Sequence, residues 1–307
     1  MISELKIGTG VRKGITYLRE SYYTKPFKLA DIGAYRADKA LCLMLMTASP
    51  GMLNGDDYRI TINVSEGARL QLQTQAYQRL YSMQTGARQQ MDVSIGEEAL
   101  FSYVPHPIVP HTDAVFEGHN RINLSEGSRL IWGEILTCGR KLNGEVFKFR
   151  LFHNLTEVRY KGKLILKDNV MIQPSRLNVS EPGQMEGFTH QATLIYADTR
   201  PDAPPVADRL LELLAHEEDI AFGVTQSAGP AIVLRILGHG AEQLFNCMRS
   251  METTLWSGLS AQSSPYETAV AAISPSSRGN REGANGSSPP SLRGAQGPSG
   301  GRDEAIS

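Results

Sequence analysis

The sequence predicts a mainly β protein: a layered, β-helix-like body of stacked strands, with two short α-helices towards the C-terminus and a disordered tail. Alternation is the first reason. Between Ile60 and Leu136 apolar and polar residues exchange places, as in Arg59-Ile60-Thr61-Ile62-Asn63-Val64, Met91-Asp92-Val93-Ser94-Ile95 and Arg121-Ile122-Asn123-Leu124, which is how half-buried strands read. Repetition is the second. Each run meets a small turn, Ser65-Glu66-Gly67-Ala68, Gly96-Glu97-Glu98-Ala99 or Ser125-Glu126-Gly127-Ser128, and the leucines closing these turns fall evenly at Leu70, Leu100 and Leu130. Even spacing suggests coils that bury one another's apolar faces, with a sandwich of evenly spaced hairpins as the other reading. The scarcity of helix signals is the third.

Taken in chain order, Ala40 to Ala48 is the longest uncharged apolar run. It is about half of the roughly 20 residues that cross a bilayer, so it reads as a buried strand. The alternating runs follow. The first helix starts at Pro205 and continues through good helix formers to His216, with proline in the first turn where its missing N–H costs nothing. The second runs from about Gly240 to Trp256, with Leu244, Met248, Met251 and Leu255 down one side. More than half of the residues from Ser274 to Ser307 are Ser, Gly or Pro, too little apolar surface to offset the entropy of ordering. The boundaries that result are a β-domain over 1–258 and a disordered tail over 259–307.

A chain of 307 residues can bury a core of real size. Lys and Arg number 31 against 32 Asp and Glu, and no long stretch is strongly basic, so the electrostatic footprint of a nucleic-acid binder is missing. Three scattered cysteines, Cys42, Cys138 and Cys247, fit neither a disulfide framework nor a CxxC zinc site. No basic segment leading into an apolar stretch opens the chain, so no secretory signal and no membrane anchor are expected. A reducing, cytoplasmic location is the expectation.

Catalytic motifs are scarce. The run Gly8 to Gly14 imitates a dinucleotide loop but its third glycine is one residue late. His216-Glu217 has Ile220 where a zinc-protease helix needs its second histidine. Neither a GxSxG elbow nor a GxxxxGK[ST] loop occurs. His106 and His111 flank prolines in Val104-Pro105-His106-Pro107-Ile108-Val109-Pro110-His111, a stiff segment that reads as a rigid edge excluding strand pairing, with both rings solvated. Cys138 reads as a small buried thiol. Asp56 and Asp57 after Gly55 read as a turn. Glu134 and Arg140 are polar residues that share a face in an otherwise apolar run, and a buried charge must be matched or hydrated.

Five runs, taken in order, resemble the urease accessory protein D (UreD/UreH) family. They are Ser49-Pro50-Gly51-Met52-Leu53-Asn54-Gly55-Asp56, Thr74 to Tyr81, Tyr103 to His111, Gly133-Glu134-Ile135-Leu136-Thr137-Cys138-Gly139-Arg140, and Asn143-Gly144-Glu145-Val146-Phe147. The resemblance covers roughly residues 1–258. It implies a non-enzymatic assembly factor that docks on apo-urease and binds accessory protein F, which recruits the GTPase accessory protein G. It implies no tightly bound cofactor, with nickel in transit. Nickel held by several imidazoles or thiolates would be bound too strongly to pass on, so weak oxygen ligands along a polar interior passage are expected. Glu134, Arg140, Thr74, Gln75, Tyr77 and Asp56 are the candidates for that passage. Leu244, Met248, Met251, Leu255, Pro105, His106 and Pro107 are the candidates for partner contact. The rival is a β-helical carbohydrate-active enzyme, whose paired carboxylates would have to come from Glu97-Glu98 or Asp56-Asp57. A nickel store is the third possibility, against which the sparse set of 7 histidines and 3 cysteines argues.

Overall fold

The computed structural model describes residues 1–33, 37–227 and 229–257. Its strands are β1 (Ile2–Arg12), β2 (Ile15–Tyr23), β3 (Phe27–Asp31), β4 (Leu41–Thr47), β5 (Asp57–Val64), β6 (Arg69–Thr74), β7 (Gln78–Leu80), β8 (Ala87–Ile95) and β9 (Leu100–Tyr103). They continue as β10 (Ile108–Pro110), β11 (Val115–Leu124), β12 (Arg129–Thr137), β13 (Leu151–Tyr160), β14 (Lys163–Ile172), β15 (His190–Asp198), β16 (Ala221–Gln226) and β17 (Ala231–Gly238). Helix α1 (Ala207–Leu214) precedes β16, and α2 (Ala241–Ser257) follows β17. The predicted tail over 259–307 lies outside the described residues.

Two layered sheets hold these strands. The first runs β14-β13-β11-β8-β5-β1-β2 and the second β16-β17-β15-β12-β9-β6-β4-β3. The middle of each is parallel: β5, β8 and β11 stack in one sheet while β6, β9 and β12 stack in the other. Each alternating run therefore crosses from sheet to sheet through its turn, and β7 pairs in parallel with β10 to make a short third wall. That is the coiled, β-helix-like body the spacing predicts. Antiparallel hairpins, β1 with β2 and β13 with β14, close the first sheet at both ends.

The register refines the repeat. Leu70 and Leu130 both pair with Phe101, not Leu100, and these three side chains fill the core between the sheets. Leu100 points the opposite way, into the core under the helices. One coil is slightly longer than the next, and in a strand a one-residue slip moves a side chain to the other face.

Sheet faces differ accordingly. The outer face of the second sheet is covered by α1 and α2 through Ile131, Ile135, Leu194, Leu234, Leu210 and Leu214. The outer face of the first sheet stays polar, with Arg88 opposite Glu117 at 3.1 Å and Arg121 opposite Asp92 at 2.6 Å. Parallel sheets are ordinarily covered on both sides; here charged cross-strand pairs take the place of a cover.

Two expectations are corrected. Leu244, Met248, Met251 and Leu255 are all buried against the chain's own second sheet, so this stripe is core and forms no exposed contact surface. Helix α2 turns Glu242, Asn246, Ser250 and Thr253 outwards instead. The proline-rich segment does not exclude pairing either: Ile108 to Pro110 pair with Gln78 to Leu80, and Ile108 with Leu136. Pro105 and Pro107 precede that strand and Pro110 is its last residue, so the ladder loses little. The rings are not both solvated. His111 is buried with its ring 4.7 Å from Tyr81, and half-buried His106 stacks on Phe245 at 4.4 Å.

Candidate functional site

Glu134 sits on β12 with its side chain between the two sheets, next to Trp132 and Leu136 on the core-facing side. Four neutral groups donate to it. Oε1 accepts from Trp132 Nε1 at 2.8 Å, Thr156 Oγ1 at 2.6 Å and Asn120 Nδ2 at 3.2 Å, while Oε2 accepts from Asn154 Nδ2 at 2.7 Å. Burial pushes the Glu134 carboxyl up from the usual range, and the donors from Thr156, Trp132 and Asn154 offset part of that. Among the described residues no cation is paired with it.

Three of the four donors, Asn120, Asn154 and Thr156, come from the opposite sheet, and its pattern explains them. Along β11 the inward positions read Phe116, Gly118, Asn120, Ile122 and Leu124, and along β13 Phe152, Asn154, Thr156 and Val158. Asn120 pairs in register with Thr156 and Gly118 with Asn154. A Cβ on Gly118 would come within 2.1 Å of Asn154 Oδ1, so the glycine makes room for the amide.

From Glu134 a polar row continues to the sheet edges. In the second sheet Glu134 stands opposite Thr193, and Thr193 opposite Arg235. In the first, Thr156 stands opposite Asp168. Arg235 Nη2 donates to Asp168 Oδ1 at 2.5 Å, tying the two rows together at that end. A small pocket lined by Glu134, Asn154, Val170, Gln191 and Thr193 shares Val170 and Gln191 with an open pocket beside Arg235. On the other side, Trp132 lies 5.1 Å from Tyr103 between ring centroids. Burial and the Glu134 charge raise the Tyr103 pKa, keeping its hydroxyl protonated. Tyr103, Gln89, Thr74, Gln75 and Tyr77 all line a second open pocket.

The predicted passage residues thus separate. Thr74, Gln75 and Tyr77 share one pocket, and Glu134 lies deeper, behind Tyr103 and Trp132. At the rim Thr74 Oγ1 accepts from the His106 backbone N–H at 2.8 Å, and the Tyr77 hydroxyl donates to Glu242 at the start of α2. Arg140 is a correction: β12 ends at Thr137, so the alternation stops before it, and Arg140 lies exposed in a loop paired with Glu145. Asp56 is away from this interior too; its Oδ2 accepts from Leu53 N at 2.8 Å, which is the turn role. Asn120, Asn154, Thr156, Asp168 and Arg235 were not among the candidates. Their signal is a polar residue at an inward position of an alternating strand.

Of the rival pairs, Glu97 and Glu98 lie exposed in the turn between β8 and β9, and Asp57 pairs with Arg59. All three cysteines are buried thiols. Among the described residues no group of three or more His, Cys, Asp or Glu gathers to hold a metal ion, and no helix is long and apolar enough to cross a membrane.

Fold and site together define a layered β-helical protein with a polar seam running between its sheets. The UreD urease accessory protein family matches residues 2–269. Urease accessory protein UreD of Flavobacterium johnsoniae is 48% identical over 257 residues, covering 83% of this chain and 93% of that one. The Acetivibrio thermocellus protein of the same name is 34% identical over 255 residues, covering 83% and 97%. The chain belongs to the UreD urease accessory protein family.

Proposed function

We propose that the chain is a non-enzymatic scaffold of urease maturation, working in the cytoplasm. It binds apo-urease together with accessory protein F and, through it, the GTPase accessory protein G. It lets nickel cross its interior on the way to the urease active site. The observation that carries this reading is the seam: a half-buried carboxylate with no cation paired to it among the described residues, ringed by two amides, a hydroxyl and an indole N–H, with an open pocket on either side.

The chemistry suits a cargo better than a resident metal. Glu134, Asn120, Asn154 and Thr156 offer only oxygen ligands to a cation, since their nitrogens are amide donors. An oxygen set holds nickel less tightly than imidazole or thiolate would, and a ligand that must be released gains from that weakness. Burial serves the same end. In a low-dielectric interior the Glu134 charge attracts a cation without competition from bulk water, while the four donors keep the empty site tolerable.

Co-expression tests the reading. Tagged chain is expected to carry apo-urease and accessory protein F through purification, and cells lacking the chain to yield urease without nickel. Folded, soluble chain that retains neither protein would defeat it.

A further inference from the structure

The polar row that begins at Glu134 ends in an ion pair. In the second sheet it steps from Glu134 on β12 to Thr193 on β15, to Arg235 on β17 and to Gly223 on the edge strand β16. In the first it steps from Asn120 to Thr156 and then to Asp168 on the edge strand β14. Two strand spacings, about 10 Å, separate Arg235 from Glu134 along the row. The inward neighbours of the pair are apolar: Leu166 and Val170 on either side of Asp168, Val233 and Leu237 on either side of Arg235. Charge at this end of the seam is therefore concentrated in Asp168 and Arg235.

The two partners are unequally free. Asp168 is 14% exposed and Arg235 42%, and a single hydrogen bond, from Nη2 to Oδ1, joins them. A guanidinium and a carboxylate often share two parallel bonds; here the fork is only half used. Beyond Arg235 there is room. The residue borders an open pocket together with Asn169, Met171, Phe222 and Gly223, and a Cβ on Gly223 would meet nothing within 4 Å. The guanidinium, on its flexible stem, can leave Asp168 and stay hydrated in that pocket. Towards the interior, the Asp168 charge reaches Glu134, where it adds to burial in raising the carboxyl pKa.

We propose that Arg235 gates this end of the seam: its guanidinium covers Asp168 when no metal is there, and swings into the open pocket when a divalent cation takes its place on the carboxylate. The gate rests on the reading of the seam as a nickel passage. A divalent cation carries twice the charge of the guanidinium, so at equal distance it is attracted to Asp168 twice as strongly. Once the metal moves on, the guanidinium returns as a competitor and keeps Asp168 from becoming a resting place for cargo.

Nickel chloride alone, titrated into the purified full chain by equilibrium dialysis, tests the competition. Arg235→Met removes the competing charge and is expected to tighten nickel binding about tenfold. Adding Asp168→Asn to Arg235→Met is expected to abolish that gain. Since Arg235→Met also strips Asp168 of its partner, at a cost to folding, Gly223→Leu supplies a second approach. It alters no charge and fills the space the guanidinium needs, and is expected to weaken nickel binding about tenfold at an unchanged melting temperature. Unaltered nickel affinity in folded Arg235→Met, or in Gly223→Leu where Arg235→Met does not fold, overturns the gate and leaves the passage standing. Normal nickel content in urease matured with Glu134→Gln defeats the passage, and the gate with it.

Discussion

His190 is buried on β15, and burial, followed by the charges of Lys141 and His239, pulls its pKa from 6.5 down to about 4. The native state therefore holds it neutral at pH values where the unfolded chain takes up a proton. Its contribution is complete above pH 6.5, shrinks as the pH falls towards 4 and is flat below that, an acid-side loss of at most about 3 kcal/mol. Thermal melts across this range are expected to show the slope, and His190→Gln to reduce it; an identical slope in both would disprove the assignment. At this scale the sequence was partly legible. Glu134 stood out because a carboxylate among Trp132, Leu136 and Ile135 needs an explanation. Its partners did not, because Asn120 and Thr156 lie on strands whose pairing is non-local, and nothing in one chain's local pattern states which inward positions face each other across two sheets. Arg140 is the opposite case: the alternating pattern does not show that the strand ends at Thr137, three residues before it.

Helix α2 is tied to the second sheet by polar as well as apolar contacts. Glu252, only 1% exposed, accepts from Gln71 Nε2 at 2.8 Å and Ser102 Oγ at 2.5 Å, and pairs with Arg249 at 2.5 Å. Met248 lies over Gly133, where a Cβ would come within 2.8 Å of its methyl and 3.2 Å of both Val104 methyls. Met248→Asp buries a charge with no partner and is expected to cost about 4 kcal/mol. Gly133→Ala overpacks the same contact and is expected to cost about 1 to 3 kcal/mol. Denaturant midpoints check both, and an unchanged midpoint in Met248→Asp would contradict the buried placement of the stripe. Both helices and the coiled strands were readable from periodicity, because each repeats its own pattern locally. What an apolar stripe covers is a different question: 3.6-residue periodicity is the same whether the face meets a partner or the chain's own sheet.

For the whole molecule, the runs that carry the family resemblance gather on the connections between rungs and on β12, around the pockets and the short third wall, while the alternating strands build the frame. Removal of residues 259–307 is expected to leave the complex with apo-urease and its activation within error, since the seam and its pockets lie within the described body. Loss of activation by a folded truncated chain would assign the segment a binding role. The central claim is that nickel crosses the interior past Glu134, and Glu134→Gln tests it most directly: the amide keeps the shape and most hydrogen bonds but removes the charge. The measurement is the nickel content of urease matured by the assembled complex carrying that substitution. An intact complex by gel filtration and urease markedly depleted in nickel are expected; urease with normal nickel content would contradict passage by Glu134.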